Sequence, residues 1–320
     1  MSRTLTRRAA VVGVTAVLLG AFGGVANAAD PAVLVATGKY PEAVAISPDG
    51  RKAFVTSPAD GTVTVVDTVT NKATNTIAVQ RGPFEVAFTP DGAKAYVANA
   101  YSNAVSVIDT ASETMVGSVF GGDYPTSLAI SRDGTRVYVA GREAVHVIDT
   151  ATDTEVAAVK LETTAYALAT SPDGEKVWAA TESGELTAID TATNTVVDAV
   201  KTGSSGDVAL SPDGTRAYQN GGTSLVVVDL VAREVVTRVP GLQNGYLLAI
   251  SPDGSRVYAG SRASDTTQGT LAEFDTSTNT LTRKLPAGAY PYGVAVTPDG
   301  THAYVVLAGQ AAVAYIDLRS

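Results

Sequence analysis

Acidic and aromatic residues stand immediately ahead of a short apolar segment that recurs seven times along the chain. The acids are Glu42, Glu85 and Asp207. The aromatic residues of the same positions are Tyr40, Phe84, Tyr124, Tyr166, Tyr246, Tyr290 and Tyr292. A few well-placed polar groups among aromatic rings are typical of a ligand pocket, so we interpret these residues as candidate ligand-binding residues. The alternative interpretation is a hydrated channel that the same side chains plug.

Chemistry beyond binding has few candidate residues. His146 and His302 are the only histidines and the chain has no cysteine, which excludes a histidine cluster or a thiolate metal site. No phosphate-binding loop, dinucleotide fingerprint or nucleophile elbow is present. We therefore predict no catalytic residue and no cofactor, and we favour a recognition or scaffold protein that binds a protein or a small ligand.

One enzymatic alternative stays open, a metal-assisted hydrolase or lyase that acts on a small molecule. Calcium accepts carboxylate and amide oxygens. Glu42, Glu85 and Asp207 could supply the carboxylates, and Asn244 could supply an amide. This calcium set requires residues from distant parts of the sequence to converge.

A four-residue turn, Ser/Thr-x-Asp-Gly, organises the rest of the sequence. Its seven copies begin at Ser47, Thr89, Ser131, Ser171, Ser211, Ser251 and Thr297. Successive turn aspartates are 42, 42, 40, 40, 40 and 46 residues apart, which is the repeat length of propeller blades. Proline at the second position and glycine at the fourth favour a type I turn.

The residues around each turn predict a four-stranded antiparallel blade. Four residues before each turn aspartate stands an alanine between apolar neighbours, which predicts a buried inner strand. Five residues after it the side chain is always aromatic, which we interpret as packing between blades. Three residues after it is a basic residue, which we expect the nearby aspartate to neutralise.

Only three residues follow Asp317 at the end of the third strand in the last repeat, so that blade lacks a fourth strand. The apolar segment Val33 to Thr37 stands at the matching distance before the first repeat. We predict that it completes the last blade, because closing the ring removes exposed strand edges. The fold class is therefore all-β, a seven-bladed β-propeller over residues 29–320 that is closed by its N-terminal strand.

These repeats resemble the YVTN family of β-propeller proteins. The resemblance rests on Tyr96-Val97-Ala98-Asn99, on Tyr138-Val139-Ala140, on the seven turns and on the Ile/Val-Asp-Thr strand ends. It covers the whole mature chain and implies a secreted seven-bladed propeller whose wider superfamily includes lactonase-like relatives. The motif asparagine is kept only at Asn99, so the motif transfers no functional residue.

Loop lengths vary almost entirely between the second and third strands of each blade. The longest of these loops is predicted to run from Ser261 to Gly269. Rigid scaffolds usually carry their sites on variable loops, and these loops share a face with the acidic and aromatic residues. We expect the site there, with Arg142 and Arg262 on its rim.

The N-terminus predicts export. Arg3, Arg7 and Arg8 precede an apolar run that ends in Ala26-Asn27-Ala28, so residues 1–28 are interpreted as a signal peptide cleaved after Ala28 by the Sec or Tat route. The mature chain then has 20 basic residues, 23 less 3, against 32 acidic ones, a formal charge of −12. Such a chain is a poor partner for nucleic acid. We expect a secreted monomer without a membrane span.

Overall fold

The computed structural model describes residues 33–262 and 268–319. They form seven four-stranded antiparallel sheets, numbered here as blades one to seven in the order of their inner strands. This confirms the predicted propeller. The predicted signal peptide lies outside the described residues. Within the described ranges, the single 3-10 turn Ala100–Ser102 is the only helical element.

The strands follow one pattern, from the inner to the outer edge of each blade. Blade one is Val44–Ile46, Lys52–Ser57, Thr62–Asp67 and Lys72–Ala78 (β2 to β5). Blade two is Pro83–Phe88, Lys94–Asn99, Ala104–Asp109 and Thr114–Phe120 (β6 to β9). Blade three is Ser127–Ile130, Arg136–Ala140, Ala144–Asp149 and Thr154–Lys160 (β10 to β13). Blade four is Ala165–Thr170, Lys176–Thr181, Glu185–Asp190 and Thr195–Lys201 (β14 to β17).

The remaining blades repeat this order. Blade five is Val208–Leu210, Arg216–Asn220, Ser224–Asp229 and Glu234–Pro240 (β18 to β21). Blade six is Leu248–Ile250, Arg256–Arg262, Gln268–Asp275 and Thr280–Ala289 (β22 to β25). Blade seven is Pro291–Val296, His302–Leu307 and Ala312–Asp317 (β26 to β28), with Val33–Ala36 (β1) as its outer strand. In blade six, strands occupy both ends of the segment that was predicted to be the longest loop.

The N-terminal strand closes the ring as predicted. β1 pairs antiparallel with β28, and Val35 lies opposite Val313. The side chains of this strand differ in burial. Val35 is 4% exposed, whereas Val33 is 48% and Leu34 53% exposed, because β1 is the outermost strand and little of the blade covers it.

The aromatic position packs between blades, as predicted. All seven rings are buried, among them Phe54 and Tyr96 at 0% exposure. Tyr96 of blade two shares a core cluster with Val137 and Ile148 of blade three. Its hydroxyl donates a hydrogen bond of 2.6 Å to Asp153 of the same neighbour. Each ring therefore contributes to the contact that joins consecutive blades.

The basic position has a different partner from the expected one. The turn aspartate Asp49 accepts hydrogen bonds from Ser47 and from the backbone N–H of Arg51. The ammonium of Lys94 instead lies 2.8 Å from Asp153 in blade three. Lys94 therefore links two blades, whereas Arg136 pairs with Asp149 of its own blade, so only some of the basic residues join neighbouring blades.

Candidate functional site

A cavity of about 310 Å³ opens where the inner strands begin, on the face that carries the loops between the second and third strands. Every blade supplies part of its wall. In blade order, one lining residue from each is Glu42, Phe84, Thr126, Tyr166, Asp207, Tyr246 and Tyr292. We call this space the mouth cavity. Seven of the predicted site residues line it, namely Glu42, Phe84, Glu85, Tyr166, Asp207, Tyr246 and Tyr292.

Two of the three acids also hold neighbouring blades together. Glu85 of blade two accepts a hydrogen bond of 2.9 Å from the backbone N–H of Leu128 in blade three. Asp207 of blade five accepts one of 2.7 Å from the N–H of Leu248 in blade six. These bonds fix the carboxylates at the start of the inner strands. Among the described residues, none donates a hydrogen bond to the carboxylate of Glu42 or forms an ion pair with it.

All three acids have raised pKa values. Burial raises the pKa of Glu42 from 4.5 to about 7. Burial, with the charge of Asp207 as a second cause, raises the pKa of Glu85 to about 8. Burial raises the pKa of Asp207 to about 6, against the opposing effect of its backbone hydrogen bonds. All three residues are half-buried and line the cavity, and partial withdrawal from water disfavours the charged form of a carboxyl group.

Aromatic rings form two groups at the mouth cavity. The rings of Tyr246 and Tyr292 stack with centroids 3.9 Å apart. Phe84 packs at 5.7 Å against Tyr101, which in turn lies 5.9 Å from Tyr124. Both groups expose ring surface near carboxylates, which is the combination that binds amphipathic ligands.

The other predicted residues lie at the rim and do not line the cavity. The guanidinium of Arg142 lies 5.5 Å from the ring centroid of Tyr124, and that of Arg262 lies 4.5 Å from the ring centroid of Tyr290. Tyr40 is 70% exposed. The rim therefore pairs its two arginines with aromatic rings.

The rim tyrosines have an unusual backbone conformation. Tyr40, Tyr124 and Tyr290 have φ values of 48°, 54° and 56°, in the left-handed region. Bulky residues rarely adopt it, and it costs on the order of 1–3 kcal/mol. Strain of this kind is common at functional sites.

The calcium alternative finds no assembled ligand set. Glu42, Glu85 and Asp207 line one cavity, but Asn244 is exposed and does not line it. Across residues 33–262 and 268–319, no group of three or more His, Cys, Asp or Glu residues could hold a metal ion.

Comparison with known proteins fits this architecture. A family model described as YNCE-like beta-propeller matches residues 9–214, which is 206 of the 320 residues. The chain belongs to the YNCE-like beta-propeller family. This confirms the resemblance inferred from the repeats.

Two solved structures similar to this YNCE-like propeller belong to differently named proteins. A chain of Kuenenia stuttgartiensis hydrazine synthase is 25% identical, with a TM-score of 0.78 over 92% of this chain and 99% of that one. The Cps50 (Swd1) beta-propeller domain of Myceliophteria thermophila is 14% identical, with a TM-score of 0.77 over 89% of this chain and 99% of that one. The second likeness concerns the fold alone. No curated protein matches the chain.

Tyr101, Asn220 and Ser127 are among the wall and rim residues of the YNCE-like propeller that the sequence prediction missed. Tyr101 lies in the 3-10 turn of blade two, within one of the variable loops that the spacing had singled out. Asn220 donates a hydrogen bond of 2.6 Å to the carbonyl of Tyr246 from the end of a second strand, and Ser127 begins an inner strand. Nothing in the sequence marks Asn220 or Ser127. In the part of the chain that the structure describes, no helix is long and apolar enough to cross a membrane.

Proposed function

We propose that the protein is an exported, non-catalytic recognition propeller that binds a protein segment or a small ligand in the mouth cavity. Export rests on the charged, apolar and small-residue regions of residues 1–28. Binding rests on the geometry of the channel. A propeller ring fixes loops from all its blades around one axis, which suits it to recognition.

One observation supports binding above the others. The mouth cavity combines about 310 Å³ of space with aromatic walls and three carboxylates, and all seven blades contribute to it. Blade packing does not require this composition, because the opposite ends of the same strands carry nearly identical turns. Pockets of this size and mixed polarity are the usual sites for small ligands.

A plug variant tests the site. Thr126→Trp places a large ring inside the cavity, whereas Thr215→Trp places the same ring on an exposed turn of the opposite face. Benzyl alcohol, benzoate and benzylamine serve as neutral, anionic and cationic probes in ligand-observed NMR. We expect at least one probe to bind the parent and Thr215→Trp, and to lose binding in Thr126→Trp.

Two outcomes would contradict the proposed site. Either none of the three probes binds, or a bound probe is retained when the cavity is plugged. Melting curves show whether each variant is folded. If Thr126→Trp does not fold, Tyr166→Ala serves instead, since it removes an exposed wall ring and should weaken any probe that contacts that ring.

A further inference from the structure

The charged groups of the mouth cavity are all of one sign. Glu42, Glu85 and Asp207 line it, and no lysine, arginine or histidine does so among the described residues. Arg142 and Arg262 stand over rim rings outside the lining. Carboxylates withdrawn from water without a cation are costly to ionise. A positively charged ligand would supply the missing counter-charge.

The walls of the cavity suit a cation as well as the carboxylates do. A cation is attracted to the face of an aromatic ring within about 6 Å of its centroid, most strongly where water is excluded. The stacked rings of Tyr246 and Tyr292, together with Phe84 and Tyr166, provide such surfaces beside the acids. The volume of about 310 Å³ limits the ligand to a small group.

Building on the proposed binding function, we propose that the mouth cavity binds an organic cation with N–H donors, namely a primary ammonium on an apolar stem. The carboxylate of Glu42 has no donor among the described residues and can accept from the ammonium. A quaternary ammonium offers charge but no N–H, so it leaves this acceptor unsatisfied. The ammonium belongs either to a free amine or to a lysine side chain of a partner protein.

Protonation of the acids provides a signature for this ligand class. The pKa is about 7 for Glu42 and about 8 for Glu85, so near neutral pH the empty cavity holds protons that a bound cation would displace. Asp207, Tyr166, Tyr246 and Tyr292 are the other titratable groups in its lining. Affinity for the cation should therefore rise with pH, by about tenfold from pH 6 to pH 8.

Titration calorimetry with matched probes tests the proposal. Benzylamine, benzyltrimethylammonium, benzyl alcohol and benzoate share one ring and differ in charge and N–H donors. We expect benzylamine to bind at least tenfold more tightly than benzyl alcohol and benzoate, and more tightly than the quaternary cation. Heats in buffers of different ionisation enthalpy should show proton release. Acetyl-lysine amide tests the protein source, and binding by either amine supports the proposal.

Charge-neutral variants locate the effect. Glu85→Gln and Asp207→Asn keep the acceptors for the Leu128 and Leu248 N–H groups and should each weaken benzylamine at least tenfold. Glu162→Gln removes a charge from an exposed loop on the same face and should change affinity less than twofold. The proposal is overturned if benzoate or benzyl alcohol binds in the plug-sensitive site as tightly as benzylamine. That result would leave the mouth cavity as the proposed binding site. Binding unaffected by the plug would contradict both the proposed site and the proposed cationic ligand.

Discussion

Glu85 and Asp207 each have two roles that conflict. Their oxygens accept N–H groups of the next blade, which favours the charged form, while burial raises their pKa values and favours the neutral form. Burial is the larger effect for both. Carboxyl groups whose pKa values are raised by burial reduce the stability of the empty protein at neutral pH, and such groups are common at binding sites.

The pH dependence of stability follows from Glu85. The pKa of Glu85 is about 8 in the folded protein, against an ordinary value of 4.5 that applies to the unfolded chain. Between pH 4.5 and pH 8 the folded state therefore holds a proton that the unfolded chain has released. The stability contributed by this group is full below about pH 4.5 and is lost as the pH rises through 8. We expect Glu85→Gln to raise the free energy of unfolding at pH 8.5 by about 1–3 kcal/mol and to change it little at pH 5.

Urea unfolding at the two pH values measures this difference. Glu162→Gln is the matched control, since it removes an exposed carboxylate from the same face, and should alter neither value by more than about 0.5 kcal/mol. An equal change from Glu85→Gln at both pH values would show that burial does not set its protonation.

The rim tyrosines make a second prediction at this scale. Tyr40 has a φ of 48° and is 70% exposed, so its strain is relieved by glycine at little cost in packing. We expect Tyr40→Gly either to leave the free energy of unfolding unchanged or to raise it by up to about 1 kcal/mol. Tyr166 is 44% exposed but lies in the strand Ala165–Thr170. Tyr166→Gly should therefore lower the free energy of unfolding by about 0.5–1 kcal/mol. Thermal melts compare the two variants. A loss of stability from Tyr40→Gly together with a gain from Tyr166→Gly would disprove the argument.

The sequence predicted site residues where their positions repeat from blade to blade. Glu42, Phe84 and Tyr292 could be placed because they occupy positions at fixed distances from strands that every blade repeats. Tyr101 could not be placed, since its position depends on the path of a loop that differs among blades. The left-handed backbone of Tyr40 has no marker in the sequence either, because tyrosine is an unfavourable residue for it.

At the scale of elements, the closing strand shows how far an apolar pattern can be taken. Val33, Leu34 and Val35 are all apolar, and the repeat spacing correctly assigned them to the last blade. Spacing does not report burial. β1 lies at the outer edge of its sheet, where only the side chain that points into the contact between blades is covered.

Two neighbouring substitutions in β1 test this difference. Val35→Ala should destabilise the protein by about 1–3 kcal/mol, because it removes buried surface from the cluster that also contains Val313. Leu34→Ala removes a larger side chain that is 53% exposed, and should cost less than about 0.5 kcal/mol. Urea unfolding compares them. A larger loss from Leu34→Ala would mean that β1 is docked with its other face inward.

At the scale of the whole molecule, the seven recurring turns pack against one another. The turn glycines have positive φ, and a side chain at most of them would meet the proline of the preceding blade's turn. Gly50 meets Pro298 in this way, so the contact also joins the last blade to the first. The seven turns thus form a closed ring of contacts on the face opposite the mouth cavity.

Substitutions at two equivalent turn glycines distinguish the effect of packing between turns from the effect of backbone strain. A methyl group at Gly254 would lie 2.6 Å from Cδ of Pro212, whereas one at Gly174 would lie 3.7 Å from Cβ of Arg132, which replaces the proline in blade three. Their φ values are 72° and 79°. Gly174→Ala should cost about 1–2 kcal/mol from strain alone, and Gly254→Ala about 1–3 kcal/mol more from overpacking. In urea unfolding, adding Pro212→Ala should restore that excess, because it removes the atoms that clash. Equal costs for the two glycines, or no recovery in the double variant, would mean that the turns do not hold adjacent blades in contact.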